Sequence, residues 1–193
     1  MKKYLILNNN MEIYAFMGKQ KVGKNYVAEK LLIPLLNKHS FKNTIVMGFV
    51  DQLKVNAIIK ENLPYEKAFG DKDLKTRKNL QKLGTEEGRD KFCQDIWIRY
   101  LDTWLRIYQE RSIERFIVTD LRFKNEYDYL KSKNAKIIKV VAPNRQMKNL
   151  NINVDEEILK HVSETESDGL KYDHLVNNDY NDDIENDLLK IVN

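Results

Sequence analysis

The order of residues from Glu12 to Asn25 constrains this chain more than any other feature. Glu12-Ile-Tyr-Ala-Phe-Met17 is a short apolar run of the kind that forms a buried strand. It passes directly into Gly18-Lys-Gln-Lys-Val-Gly23-Lys24-Asn25, a glycine-framed loop of GxxxxGK spacing, and then into a helical pattern. Strand, glycine loop and helix in that order predict a phosphate site. Glycines permit the tight turn that aims backbone N–H groups inward, and Lys24 supplies the cation for the phosphates. One residue departs from the usual pattern. Asn25 stands where a Ser or Thr hydroxyl ordinarily ligates Mg²⁺, and its amide oxygen is a poorer inner ligand.

The rest of the chain reads as alternating strands and helices. Residues 24–38 place Val27, Leu31, Leu32 and Leu35 at helical spacing, with Pro34 predicted to kink or end that helix. Thr44–Val50 is a second apolar run, closed by Asp51. A helix over 51–61 breaks at Asn62-Leu63-Pro64. Residues 72–83 carry Leu74, Leu80 and Leu83 on one stripe. From Arg89 onward, Phe92, Ile96, Trp97, Tyr100, Leu101, Trp104, Leu105 and Tyr108 form the clearest amphipathic pattern in the chain. Phe116–Thr119 is a third strand ending at Asp120, followed by a helix over 123–132. Lys136–Ala142 is a fourth strand stopped by Pro143. Residues 144–172 have weak periodicity, as a mobile segment would; 174–176 suggests a fifth strand and 184–192 a closing helix.

Short, continuously apolar strands alternating with helices predict an α/β fold, a three-layer arrangement with a parallel sheet of about five strands covered by helices on both faces. Ligands in such sheets bind beyond the carboxyl ends of the strands. The candidate site residues are therefore Gly18–Asn25, Asp51, Asp120–Arg122 and Pro143–Arg145. A chain of 193 residues suits a single domain of this kind, 1–193. Its net charge of +4 is too mild for a DNA-coating surface. Cys93 is the only cysteine, so no internal disulfide can form. The N-terminal apolar run is too short for a signal peptide, and no segment approaches a membrane span. These features predict a soluble cytoplasmic protein without membrane or nucleic-acid partners, with residues 1–10 a dispensable extension.

Asp51 and Asp120 each follow an apolar run, where a carboxylate either holds Mg²⁺ or caps a helix. Arg122, with Asn125 and Glu126 on the next turn, favours the functional reading for Asp120. Arg77, Arg89 and Arg122 fall in loops or helix starts, where a guanidinium fork suits phosphate. Gly84-Thr-Glu-Glu-Gly88-Arg89 reads as a turn that sets Arg89 at a helix N-terminus. Arg99, Arg106, Arg111 and Arg115 are assigned to the solvated face of the Trp97 helix and its exit. No His/Cys cluster has zinc spacing.

Together these pieces resemble the deoxynucleoside monophosphate kinases of large bacteriophages, a branch of the P-loop nucleoside monophosphate kinases. The resemblance rests on the glycine loop, Phe49-Val-Asp51-Gln-Leu53-Lys54, Leu80-Gln-Lys-Leu-Gly84-Thr85-Glu86-Glu87-Gly88-Arg89 and Asp95-Ile-Trp97. It continues through Thr119-Asp120-Leu-Arg122-Phe123-Lys-Asn125-Glu126 and His161-Val-Ser163-Glu164-Thr165, from about Glu12 to the C-terminus. It implies a P-loop kinase-like fold and transfer of the ATP γ-phosphate to the 5′-phosphate of a deoxynucleoside monophosphate. By the same resemblance Gly18, Lys19, Lys21, Gly23, Lys24, Asn25, Tyr26 and Arg145 hold ATP, and Asn25 and Asp120 face Mg²⁺. The acceptor is bound by Asp51, Lys54, Arg77, Arg89, Trp97, Arg122, Glu126 and Glu164, from a helical region over about 51–111. Lys24, Arg122, Asp120 and Arg89 carry the catalytic roles, with Asp120 and Glu126 orienting Arg122 or metal-bound water, and 143–172 forms a lid-like segment. Relatives carrying Asp-Thr after the loop lysine differ from Asn25-Tyr26 here.

Two alternatives stay open on the sequence. One is dephospho-CoA kinase, with the same donor and a hydroxyl acceptor; the other is a non-catalytic nucleotide or nucleic-acid binding protein. The aromatic surface around Trp97 would serve a homodimer as well as a core.

Overall fold

Alternate residues of the strand Glu12–Met17 (β1) face opposite sides of a sheet. Ile13, Ala15 and Met17 belong to one buried cluster, Tyr14 and Phe16 to another. A strand apolar on both faces needs cover on both, and that requirement sets the architecture. The computed structural model describes residues 11–70, 72–145, 165–179 and 183–192.

Five parallel strands form the sheet: β1, β2 (Thr44–Val46), β3 (Arg115–Leu121), β4 (Lys136–Val141) and β5 (His174–Asn177). Their order is β2-β3-β1-β4-β5, with β1 central, pairing Tyr14 with Ile117 on one side and Lys136 on the other. From β1 the chain passes to the edge strand β2, returns to β3 between the two, and then crosses to β4 and β5 on the other side of β1. The crevice at the carboxyl end of β1 is therefore the topological switch point where such sheets bind ligands.

One face of the sheet is covered by a helical run over residues 24–39 and by α8 (Asp183–Val192), which bury Val27, Leu32, Leu36, Leu188 and Ile191. The other carries α3 (Asp51–Glu61), α6 (Ile96–Glu110) and α7 (Lys124–Ser132), with Leu53, Trp97, Leu101, Leu105 and Leu130 inward. Among the described residues, α4 (Tyr65–Phe69) and α5 (Leu74–Gly84) also pack on α3. The expected α/β, P-loop kinase-like sandwich is borne out.

Several local expectations are corrected. Pro34 does not end the first helix. The run comprises α1 (Lys24–Tyr26), a π-helical segment Val27–Leu32 and α2 (Ile33–His39). Ile33 N–H bonds back five residues to Ala28 O. Pro34 thus falls where the repeat reverts to α, near the start of a new α segment, where its missing N–H does least harm. The apolar run Thr44–Val50 is strand only to Val46, because the amides of Gly48, Phe49 and Val50 turn to carboxylates instead of a neighbouring strand. β3 runs past Thr119 to Leu121, placing Asp120 within the strand.

The Trp97 helix begins at Ile96, leaving Phe92 77% exposed and off its apolar stripe. Residues Thr85–Asp90 continue α5 as a π-helical turn, so Arg89 lies in the last turn of a helical run rather than at a helix N-terminus. Arg115 is the largest departure: instead of solvated, it is buried at the start of β3.

Candidate active site

Two backbone constraints shape the glycine loop. Gly18 (φ 139°) and Gly23 (φ 86°) adopt conformations that favour glycine, and a Cβ at Gly18 would lie 2.3 Å from Val140 O. A Cβ at Gly23 would meet Asn178 Nδ2 at 2.4 Å. Asn178, fully buried after β5, donates from that amide to Val22 O at 2.8 Å. Arg145, from the end of β4, donates to the same carbonyl at 2.9 Å and to Asn178 O. Arg145 and Asn178 therefore brace the loop from outside; nothing in the sequence marked Asn178.

Within the loop, Lys24 is buried and donates to Gly18 O (2.6 Å) and Lys19 O (2.9 Å), holding the loop closed around its own ammonium. Lys19 pairs with Asp168 in the 3₁₀ turn Glu166–Gly169, away from the cleft. Tyr26 is largely exposed.

A cleft of about 300 Å³ opens between the loop and the helices beyond the sheet. It gathers Lys21, Lys24 and Asn25 from the loop side with Thr119, Asp120 and Arg122 from β3 and its exit. From the helical side come Lys54, Arg77, Arg89 and Trp97. Nine residues expected from the sequence thus meet on one surface, though they come from positions 21 to 122 of the chain. Four apolar walls were not anticipated: Val50, Leu53, Phe69 and Leu80. Leu80 had been read on the apolar stripe of its helix and Leu53 within a matching motif, and Phe69 belongs to α4, which the sequence left without an element. Gln20, Gln81 and Thr85 add polar groups. Glu164 and residues 146–163 of the lid-like segment lie outside the described residues.

The acidic residues do different work from one another. Asp51, at the start of α3, accepts from Gly48 N at 2.7 Å and pairs with Lys54 Nζ at 2.6 Å. Lys54 also stands over the Phe69 ring, 4.9 Å from its centroid, so its ammonium is fixed toward the cleft. Asp120 accepts from Phe49 N (2.8 Å) and Val50 N (3.2 Å). Burial pushes the Asp120 carboxyl above its ordinary range and the Asp51 charge adds to this; Lys54 and the two amides oppose it. Gly48 is needed here because a Cβ would sit 2.4 Å from Asp120 Oδ2.

Arg89 is buried against the same wall. Its Nη1 donates to Gln94 O (3.1 Å) and Asn125 Oδ1 (3.2 Å), Nη2 to Glu126 Oε1 (2.5 Å), and its guanidinium stacks 3.7 Å from the Phe123 centroid. Glu126 accepts from Arg122 N and Phe123 N through its other oxygen. The side chain that Glu126 pairs with is thus Arg89, where the resemblance implied that it orients Arg122 or metal-bound water. Burial first, and then the Asp120 charge, push the Glu126 carboxyl up to about 7 against the pull of Arg89. Arg77 links the two halves of the cleft, donating to Gln20 Oε1 of the loop at 3.3 Å. Trp97 is buried, with its indole N–H on Gly84 O at 2.8 Å and its ring over Gly88, where a Cβ would approach to 2.6 Å.

The residues present fit a nucleotide and a metal ion held largely through phosphate and water. Gly18 and Gly23 have room only for backbone, and Lys24, the Asn25 amide and the Asp120 carboxylate line the same cleft. Among the described residues, no group of three or more His, Cys, Asp or Glu is placed to hold a metal by itself. No helix among the described residues is long and apolar enough to cross a membrane.

Comparison with known proteins agrees with this geometry. No curated protein matches the chain. A family model described as deoxynucleotide monophosphate kinase matches residues 24–190, beginning at the loop lysine and including every cleft residue after it. A match over most of the length, on a sheet and cleft of this form, means that the chain belongs to the deoxynucleotide monophosphate kinase family.

Proposed function

We propose that this protein transfers the γ-phosphate of ATP to the 5′-phosphate of a deoxynucleoside monophosphate. A bond forms between an acceptor phosphate oxygen and the γ-phosphorus as the β–γ bridging P–O bond breaks, leaving ADP and a deoxynucleoside diphosphate. The observation that carries this reading is the pairing of a glycine-loop lysine with cations from the opposite wall, Lys54, Arg77, Arg89 and Arg122, across one cleft. Two anionic groups brought into line need such charge on both sides, and a hydroxyl acceptor would not.

In this reading Lys24 exchanges its carbonyl partners for donor phosphate oxygens, with the loop amides and Lys21 beside it. Asn25 and Asp120 would hold Mg²⁺, which would supply charge neutralisation on the donor phosphates. Arg122 and Arg89 hold the acceptor phosphate, and Lys54 is aimed at it by Asp51 and Phe69. Val50, Leu53, Phe69, Leu80 and Trp97 give the base and sugar an apolar wall. The helical region over 51–111 binds the acceptor, and 143–172 acts as a lid.

The test is ADP release with Mg-ATP and a panel of deoxynucleoside monophosphates, their ribose counterparts and dephospho-CoA. Turnover on deoxy monophosphates is expected, with Lys24→Ala and Arg122→Ala each lowering kcat by about two to three powers of ten. Turnover on dephospho-CoA alone would replace the acceptor assignment, and wild-type rates in either variant would remove that residue from the site.

A further inference from the structure

Arg89 and Arg122 reach the same cleft from different elements, and one carboxylate ties them together. Glu126 Oε1 takes the Arg89 guanidinium at 2.5 Å, while Oε2 takes the backbone N–H groups of Arg122 at 2.9 Å and Phe123 at 3.1 Å. Both charged partners are buried, Glu126 at 2% exposure and Arg89 at 4%. Phe123, whose amide the carboxylate holds, also stacks on the guanidinium that the carboxylate pairs with. The guanidinium plane is thereby fixed by Phe123 on one face and by Glu126, Asn125 and Gln94 at its edge.

We propose that Glu126 is a positioning residue, which never touches substrate but sets Arg89 and the turn bearing Arg122 in mutual register for one acceptor phosphate. This rests on the phosphate-acceptor reading above. The carboxylate is what the geometry requires, because both of its oxygens accept and neither donates. An amide in its place presents an NH₂ group to either Arg89 or the two backbone amides, a donor facing donors. A shorter carboxylate keeps the charge and loses the span between the two partners.

The protonation state of Glu126 then matters. Its carboxyl titrates near 7, raised by burial and by Asp120 of β3 and lowered by Arg89 of the π-helical turn. Asp120 in turn faces Asp51 and Lys54 of α3. A protonated Glu126 loosens its hold on Arg89, so acceptor affinity weakens as pH falls through that value.

The experiment compares wild type, Glu126→Gln and Glu126→Asp for kcat, for KM of the deoxynucleoside monophosphate and for ATP affinity by calorimetry, from pH 5.5 to 8.5. Expected for Glu126→Gln is a KM for the acceptor raised at least tenfold and an ATP affinity within about twofold of wild type. The wild-type acid limb in kcat/KM should be reduced in the variant to the titration of the acceptor phosphate itself, near 6. Glu126→Asp should fall between the two. Wild-type KM and an unchanged acid limb in Glu126→Gln would overturn the proposal, as would parallel loss of ATP affinity, which marks a merely structural role. Should Glu126→Gln not fold, Glu126→Asp with wild-type acceptor KM overturns it equally. A wild-type enzyme with no turnover or binding of any deoxynucleoside monophosphate refutes the acceptor reading itself, a result distinct from all of these.

Discussion

Replacing Arg115 with methionine should destabilise the protein without touching its chemistry. Arg115 is 1% exposed and ties three elements at the end of the sheet remote from the cleft. Its Nε donates to Glu12 Oε2 at 3.0 Å, Nη1 to Asn37 Oδ1 at 2.7 Å and Nη2 to Ser40 O at 3.3 Å. These bonds pin the start of β1 and the end of α2 to β3. Removing one partner of a wholly buried ion pair costs roughly 3–5 kcal/mol. Here the cost is lower. Glu12 is 35% exposed and keeps Lys42 at 2.5 Å, while Asn37 and Ser40 can regain water. A net loss of about 2 kcal/mol follows, or roughly 4–8 °C in Tm for a chain of this size.

The pH dependence supplies a second check. Burial pushes the Glu12 carboxyl up, but hydrogen bonds from Lys42 and then Arg115 outweigh it and hold the group below its ordinary 4.5. A depressed carboxylate stabilises the fold above its unfolded value and loses that contribution as pH falls through the folded one. The gap between wild type and Arg115→Met in urea-unfolding free energy should therefore be full at pH 7 and narrow below about 4.5. Phosphate transfer at 20 °C should be unchanged. A variant within about 0.5 kcal/mol of wild type at pH 7 would refute the account, since surface substitutions commonly do no more.

Other substitutions probe the cleft directly. Gly48→Ala forces a methyl onto Asp120, whose carboxylate is held by two amides, and should lower kcat at least tenfold with a loss of about 1–3 kcal/mol in stability, read by turnover and urea melts. Gly88→Ala places a methyl 2.6 Å from the Trp97 ring, and overpacking of about 1–3 kcal/mol should outweigh the roughly 1 kcal/mol gained in helix propensity; a stabilised variant would contradict the packing. Glu126, with its carboxyl raised from 4.5 to about 7, contributes stability fully present below 4.5 and lost as pH rises through 7, on the order of 3 kcal/mol. Glu126→Gln should flatten the unfolding free energy across that window, and an unchanged slope would show that another group titrates there.

The glycine loop and the alternation of apolar runs were legible because their causes are local. Gly18 and Gly23 are needed for backbone conformation, and β1 must be covered on both faces whatever packs there. Lys24 was singled out by the GxxxxGK spacing, Asp51 and Asp120 by their place after apolar runs, and Arg77, Arg89 and Arg122 by reading them in loops or helix starts; of these the cleft gathers Lys24, Asp120 and the three arginines. The sequence could not tell which arginine is structural. Arg115 and Arg89 are both buried, yet Arg115 meets Glu12 across 103 residues and Arg89 meets Glu126 across 37. Periodicity along one helix carries no signal for such pairs.

Strand length at Thr44–Val46 was misjudged for a similar reason. Hydropathy reports that Met47, Phe49 and Val50 pack inward, but whether their segment pairs with a strand or turns to carboxylates depends on where Asp120 and Asp51 arrive in space. The amino-acid sequence by itself determined an α/β sheet with a glycine-framed loop at its centre, since backbone freedom and two-sided burial are properties of short stretches. Only the tertiary structure decided that Glu126 holds Arg89 and the Arg122 turn, that Arg145 and Asn178 brace the loop, and that Arg115 is core. A hydrogen bond between distant residues is fixed by the meeting of their elements, and no single stretch of chain contains that information.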